Sequence, residues 1–216
     1  MANSGTSNRL IVGISGASGI IYGVRLLEVL RAGGIETHLV MSRSAEVTLA
    51  YETDLKVKDV RALASVVYNV ADIGAAISSG SFKTRGMIIA PCSIRTVSEI
   101  ASGVTSSLLT RAADVVLKER RRLVLMVRES PLHTGHLRTL TAASEMGAII
   151  APPMPGFYSL PTSVGDIVNH TVGRVLDLFE IESGLVRRWG EPSAGERKKG
   201  RTGPGARKRP KSRPQK

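Results

Sequence analysis

An apolar run, Leu10-Ile11-Val12, leads directly into Gly13-Ile14-Ser15-Gly16-Ala17-Ser18-Gly19 and then into an apolar stripe at Ile20, Val24, Leu27 and Leu30. A buried strand, a turn of small residues and an amphipathic helix follow one another, the opening of a parallel α/β sheet. The turn places backbone N–H groups and serine hydroxyls at a helix N-terminus, where the first N–H donors lack intrahelical partners. Such an end attracts anions, so the expected ligand carries a phosphate.

The same alternation continues along the chain. Helix is expected over 20–31 and closes at Gly33-Gly34. A second strand is expected over 36–41, then a helix over 44–50 capped by Ser42 or Ser44. A short helix over 57–64 and a short strand over 66–69 follow, and 75–81 reads as loop. The third buried strand, 86–90, is expected to stop at Pro91. Helices over 96–101 and 108–119, a strand over 123–127, a helix over 136–146, a strand over 148–151 and a helix over 164–178 complete the pattern. Five buried strands interleaved with helices predict an α/β, Rossmann-like three-layer fold with a doubly wound parallel sheet. In such sheets ligands bind at the carboxyl ends of the strands. Ser15–Gly19, Ser42, residues 91–96, Arg128-Glu129 and residues 152–158 all fall there.

The 216 residues suffice for one such domain with a sizeable core. No apolar run is long enough to span a bilayer, and residues 1–8 lack the apolar core of a signal peptide, so they read as a flexible N-terminus. A single cysteine, Cys92, allows no internal disulfide and fits a reducing compartment; the expected location is cytoplasmic. The net charge of +12 is concentrated at one end. Residues 194–216 hold ten Lys or Arg against one Glu, with many Gly and Pro and no large apolar residue. Residues 192–216 therefore read as a disordered basic tail, either a solvated extension or a weak binder of polyanions.

The phosphate ligand can be narrowed. NAD would require G-x-G-x-x-G and an acidic residue ending the second strand. The chain has Gly13-x-x-Gly16-x-x-Gly19, and its second strand ends in Met41-Ser42-Arg43. The Gly-Lys-Ser/Thr of a Walker A loop is absent. Flavin mononucleotide, with one terminal phosphate and a flat ring, fits small serine-lined loops better. A second cluster, Arg111, Lys118, Arg128 and Glu129, suits a charged substrate and proton transfer, or surface salt bridging. Residues 118–122 read equally as a solvated, basic helix end.

Taken together, Gly13–Gly19, Pro91-Cys92-Ser93, residues 111–121, Arg128-Glu129, residues 155–158 and Arg188-Trp189 resemble the UbiX-type flavin prenyltransferases, in order, over 9–191. Older descriptions call such proteins aromatic-acid decarboxylases. The resemblance implies an FMN-binding prenyltransferase domain that joins a dimethylallyl group, from dimethylallyl monophosphate, to N5 and C6 of reduced FMN. The implied product, prenylated FMN, serves UbiD-type decarboxylases; no metal is implied. Gly16, Ala17, Ser18, Ser42, Ser93, Ile94, Arg95, Thr96 and Arg128 would contact the flavin. Tyr158, Arg174 and Arg111 would bind the donor, and Lys118, with Arg174 and the Tyr158 hydroxyl, would act in catalysis by stabilising the leaving phosphate. Ser18 and Glu129 would handle protons, Glu52 would stand near the site, and Trp189 would offer a π face to an allyl cation or pack at an interface. Such contacts are shared between subunits in this family, which implies a homo-oligomer, a dodecamer. Ser106-Ser107 departs from the Asp-Asn often found there, Arg95 from a Lys or small residue, and Ser130 from a Thr.

Other features carry less. His133 and His136 lie three apart without further metal-ligand spacing and read as the start of a helix. Cys92 reads as packing rather than as a nucleophile. A flavin-dependent decarboxylase of the related type would need an early His and a late reactive Cys, which residues 20–22 and the lone Cys92 do not supply. A flavin carrier subunit is the remaining alternative.

Overall fold

The computed structural model describes residues 7–186, and Trp189 and the 192–216 tail lie outside them. Six strands form one parallel sheet in the order β3-β2-β1-β4-β5-β6: β1 (Arg9–Ile14), β2 (Glu36–Met41), β3 (Val66–Tyr68), β4 (Gly86–Cys92), β5 (Arg122–Val127) and β6 (Ala148–Ile150). The sixth strand beyond the five buried ones is β3, a three-residue edge strand and only partly buried. A short edge limits unwanted strand pairing.

Alternate side chains of the central strands enter opposite cores, as the period of two requires. Leu10, Val12, Ile88, Ala90, Val124 and Met126 face one layer. There they meet α1 (Ile20–Ala32) and α7 (Val164–Asp177) through Val24, Leu27, Val172 and Leu176. Ile11, Met87, Ile89, Leu123 and Leu125 face the other layer. That layer holds α4 (Ile94–Ala101), α5 (Leu108–Lys118) and α6 (Thr134–Glu145). The remaining helices are α2 (Arg43–Glu52) and the short α3 (Val57–Arg61), three residues shorter than its apolar pattern suggests. The 75–81 loop contains a 3-10 turn at Ala76–Ser78.

Pro91 does not end β4. The strand runs on to Cys92 through a bulge between Ile89 and Cys92, with a cis Ala90–Pro91 peptide. A bulge leaves a residue outside the ladder, so a proline lacking its N–H is accommodated there. Its carbonyl accepts from both the N–H and the hydroxyl of Ser15, at 3.2 and 3.1 Å. The chain leaves β1 towards β2 on one side and returns to β4 on the other. The crevice at the carboxyl ends of β1 and β4 is therefore the switch point where such sheets bind ligands.

Candidate active site

Three helices begin at this crevice. α2 opens on Ser42, whose hydroxyl accepts from the Ala45 N–H at 3.1 Å. α4 opens on Ser93, whose hydroxyl accepts from the Thr96 N–H at 3.3 Å. α5 opens on Ser107, which forms a capping box with Thr110. All three caps line one cavity of about 400 Å³, together with Gly16, Arg43, Ser44, Arg95 and Thr96. Each cap satisfies part of its first turn, and the aligned peptide dipoles leave three positive helix ends around one space. Arg43 and Arg95 add charge. Arg95 is restrained by Glu99 at 3.0 Å, whose other oxygen accepts from the Ser106 hydroxyl at 2.7 Å. Gly16 is required by close approach, because a Cβ there would run into Ser44 at the start of α2.

The first turn itself is used differently from what the sequence suggests. The Gly19 N–H donates to Glu52 at 2.8 Å and the Ile20 N–H at 2.9 Å, and the Ser18 hydroxyl bonds the same carboxylate. The chain thus supplies its own anion to the N-terminus of α1, whereas the N-termini of α2, α4 and α5 face the cavity. Burial alone would raise the Glu52 pKa. The Ser18 hydroxyl, the two N–H groups and the charge of Arg128 outweigh it and hold the carboxyl below its ordinary value. Ser18, Glu52 and Arg128 therefore form one polar cluster. Ser15, fully buried, ties it to the cavity: its hydroxyl donates to Pro91 and accepts from the Ser93 N–H at 2.7 Å. The Arg128 N–H donates to the Cys92 carbonyl at 3.0 Å, and Glu129 accepts from the Ser130 N–H at 3.0 Å.

The expected flavin residues Gly16, Ser42, Ser93, Arg95 and Thr96 are thus brought together on one cavity. Ala17 lies in the adjoining turn and Ile94 in the first turn of α4. The expected donor residues are not on that cavity. Tyr158 stands on a separate face, its hydroxyl 3.2 Å from Nε2 of His170, and Arg174, one turn further along α7, pairs with Asp177 at 2.9 Å. Arg111 pairs with Asp114 within α5. Lys118 ends α5, about 17 Å along the helix from its N-cap. There it pairs with Glu119 near the start of β5.

The discounted groups have structural roles. Cys92 is fully buried, and burial pushes its thiol well above the ordinary value, which disfavours the reactive thiolate. His133 caps α6, its Nδ1 accepting from Gly135 at 3.0 Å, and the His136 ring lies against it. Among the described residues no group of three His, Cys, Asp or Glu could hold a metal, and no helix is long and apolar enough to cross a membrane. Arg43, Ser44, Glu99, Ser106 and Ser107 line the cavity without having been singled out as ligands. Ser107 was not read as a cap, although its place directly before the apolar helical run Leu108-Leu109 is the signal that could have found it. Ser15 and Glu52 act through contacts distant in sequence, for which the sequence holds no local signal.

Known proteins are similar to this chain in sequence and fold. The profile of the Flavoprotein family matches residues 2–176. The flavin prenyltransferase UbiX of Escherichia coli K12 is 62% identical over 184 residues, covering 84% of this chain and 97% of that protein. The crystal structure of AnUbiX (PadA1) in complex with FMN and dimethylallyl pyrophosphate superposes with a TM-score of 0.84 at 48% identity, covering 86% of this chain and 98% of the other. A dodecameric FMN-dependent UbiX-like decarboxylase from Escherichia coli O157:H7 has a TM-score of 0.82 at 52% identity, covering 85% and 100%. With this identity along nearly the whole length of those relatives, the chain belongs to the UbiX family of flavin prenyltransferases.

Proposed function

We propose that this protein transfers a dimethylallyl group from dimethylallyl monophosphate to reduced FMN, bonding it at N5 and C6. The observation that carries the reading is the convergence of three helix N-termini and two arginines on one serine-lined cavity at the β1/β4 switch point. A cavity of about 400 Å³ is in the range of small-molecule sites, and its donors suit a phosphate monoester. Reduced FMN, when bound, supplies the nucleophilic N5 and C6.

The remaining roles fall to this chain. Gly16, Ala17 and Ser18 border the flavin from the β1 turn, while Ser42, Ser93, Ile94, Arg95 and Thr96 hold it from α2 and α4. Arg128 places positive charge beside Glu52 and the flavin. As the N5–C bond forms, the donor's C–O bond breaks and phosphate leaves, and Glu129 takes the proton released at N5; ring closure at C6 releases the C6 proton while the prenyl double bond gains one, with Ser18 as a second proton-handling group. Tyr158, Arg174 and Lys118 stabilise the charge that develops on the leaving phosphate. Because these three lie away from the cavity within one chain, the complete site is assembled between copies, in a dodecamer. The product goes to a UbiD-type decarboxylase in the cytoplasm.

The decarboxylase alternative gains nothing from the site, since the single thiol is buried. Glu129→Gln tests the mechanism. Single-turnover alkylation should slow by about a hundredfold, the scale of one general base, while FMN affinity stays within twofold, about 0.4 kcal/mol. An unchanged rate removes Glu129 from the reaction.

A further inference from the structure

A second cavity, of about 610 Å³, opens at the opposite, amino end of the sheet. Its walls carry Arg85, Arg120, Arg121 and Arg122 against one carboxylate, Glu180, with Ile149 and Phe179 as the apolar part. Two of the arginines are committed. Arg121 donates to the carbonyls of Phe82 at 2.7 Å and Gly80 at 2.6 Å, and Arg85 donates to those of Ser7 and Phe179. Arg122 lies over the Phe179 ring at 5.7 Å. Among the described residues neither Arg120 nor Arg122 has an ion-pair partner.

The backbone here is unusual in the same place. Five-residue closures with a left-handed residue end α1, α4, α5 and α7. Gly34 and Gly103 occupy that position after α1 and α4. After α5 it is Arg120, at φ 55, with Arg120 N–H bonded to Leu117 and Arg121 N–H to Val116. After α7 it is Glu180, at φ 57, with Glu180 N–H bonded to Asp177 and Ile181 N–H to Leu176. Glycine is the low-cost residue at such a position. Two of the three non-glycine residues with positive φ among those described therefore line this one cavity. Strain kept where a charged side chain enters a pocket points to use of that side chain.

We propose that this cavity is a second anion site, which binds an oligophosphate through Arg120 and Arg122. Guanidinium groups bind phosphate oxygens bidentately and hold their charge at any physiological pH. The volume is that of a small-ligand site, and two uncommitted guanidiniums backed by the charge of Arg85 and Arg121 favour more than one phosphate. Neither arginine belongs to the proposed transferase machinery, so the two readings fail independently.

Titration calorimetry of the FMN-loaded protein with inorganic tripolyphosphate, and separately with ATP, tests this at low salt. One anion per chain, beyond any held at the donor-phosphate site, is expected to bind, more weakly as salt rises. Binding should persist in Arg174→Ala, which disables the donor-phosphate site, and fall by about tenfold per guanidinium removed in Arg120→Ala and in the Arg120→Ala/Arg122→Ala pair. Equal affinities for the two probes assign recognition to the phosphate chain, and tighter ATP binding adds the Ile149 and Phe179 wall. Arg120→Gly separates binding from folding: it should melt no lower than the parent, prenylate FMN as well and still bind the anion about tenfold more weakly. No binding to the parent protein, binding lost in Arg174→Ala, or full binding in the Arg120 and Arg122 variants overturns the proposal.

Discussion

Glu52 is the residue whose role differs most from its sequence context. It lies 33 residues beyond Gly19, at the far end of another helix, yet it neutralises the start of α1. Only the juxtaposition of the β1 turn with the end of α2 makes this visible. The glycine-serine turn was legible as an anion site, but the identity of its anion was not. A consequence is measurable in acid. The Glu52 pKa is depressed in the fold, so its contribution is complete above the unfolded value of 4.5 and is lost as pH falls through the lower folded value. Glu52→Gln should therefore cost about 1 kcal/mol at pH 7, and the gap between variant and parent should close below pH 4.5. Thermal melts from pH 7 to pH 3 would show it, and a gap independent of pH would remove the carboxylate from this role.

Among elements, the strands were the most readable part of the chain. Apolar runs such as Leu10-Ile11-Val12 and Leu123–Val127 leave little choice but a strand covered on both faces. Pro91 misled, because the punctuation rule for proline gives way at a bulge, and a bulge depends on the register of the neighbouring strand. The three helix starts were only partly legible. Ser42 and Ser93 stand at strand ends and drew attention, whereas Ser107 follows a loop and was read only as a departure from a pattern. Its capping box predicts that Ser107→Ala costs about 1 kcal/mol, a fall of about 3 °C in Tm for a chain of this size. The same change should weaken FMN binding, since it disturbs one of the three helix ends around the cavity. A variant that melts lower but binds FMN as the parent does would assign Ser107 to stability alone.

At the scale of the whole molecule, one chain holds a flavin-sized cavity but keeps Lys118, Tyr158 and Arg174 elsewhere. No pattern within a single sequence can show which distant residues meet across copies; the resemblance to a family with shared sites supplied that expectation. Complementation addresses it. Gly16→Val blocks the cavity through Ser44, and Lys118→Ala leaves the cavity intact. Each variant alone should be nearly inactive, and co-assembled oligomers should regain activity in sites that pair an unblocked cavity with an intact Lys118. Failure of well-folded mixtures to regain any would mean that Lys118 is not shared.

The central claim is the transfer itself. Purified protein would be incubated without oxygen with reduced FMN and dimethylallyl monophosphate, and the mass of the released flavin determined. A flavin heavier by one prenyl unit, formed by the parent and not by Gly16→Val, is the predicted result. FMN of unchanged mass, from protein shown to bind both ligands, would contradict the account.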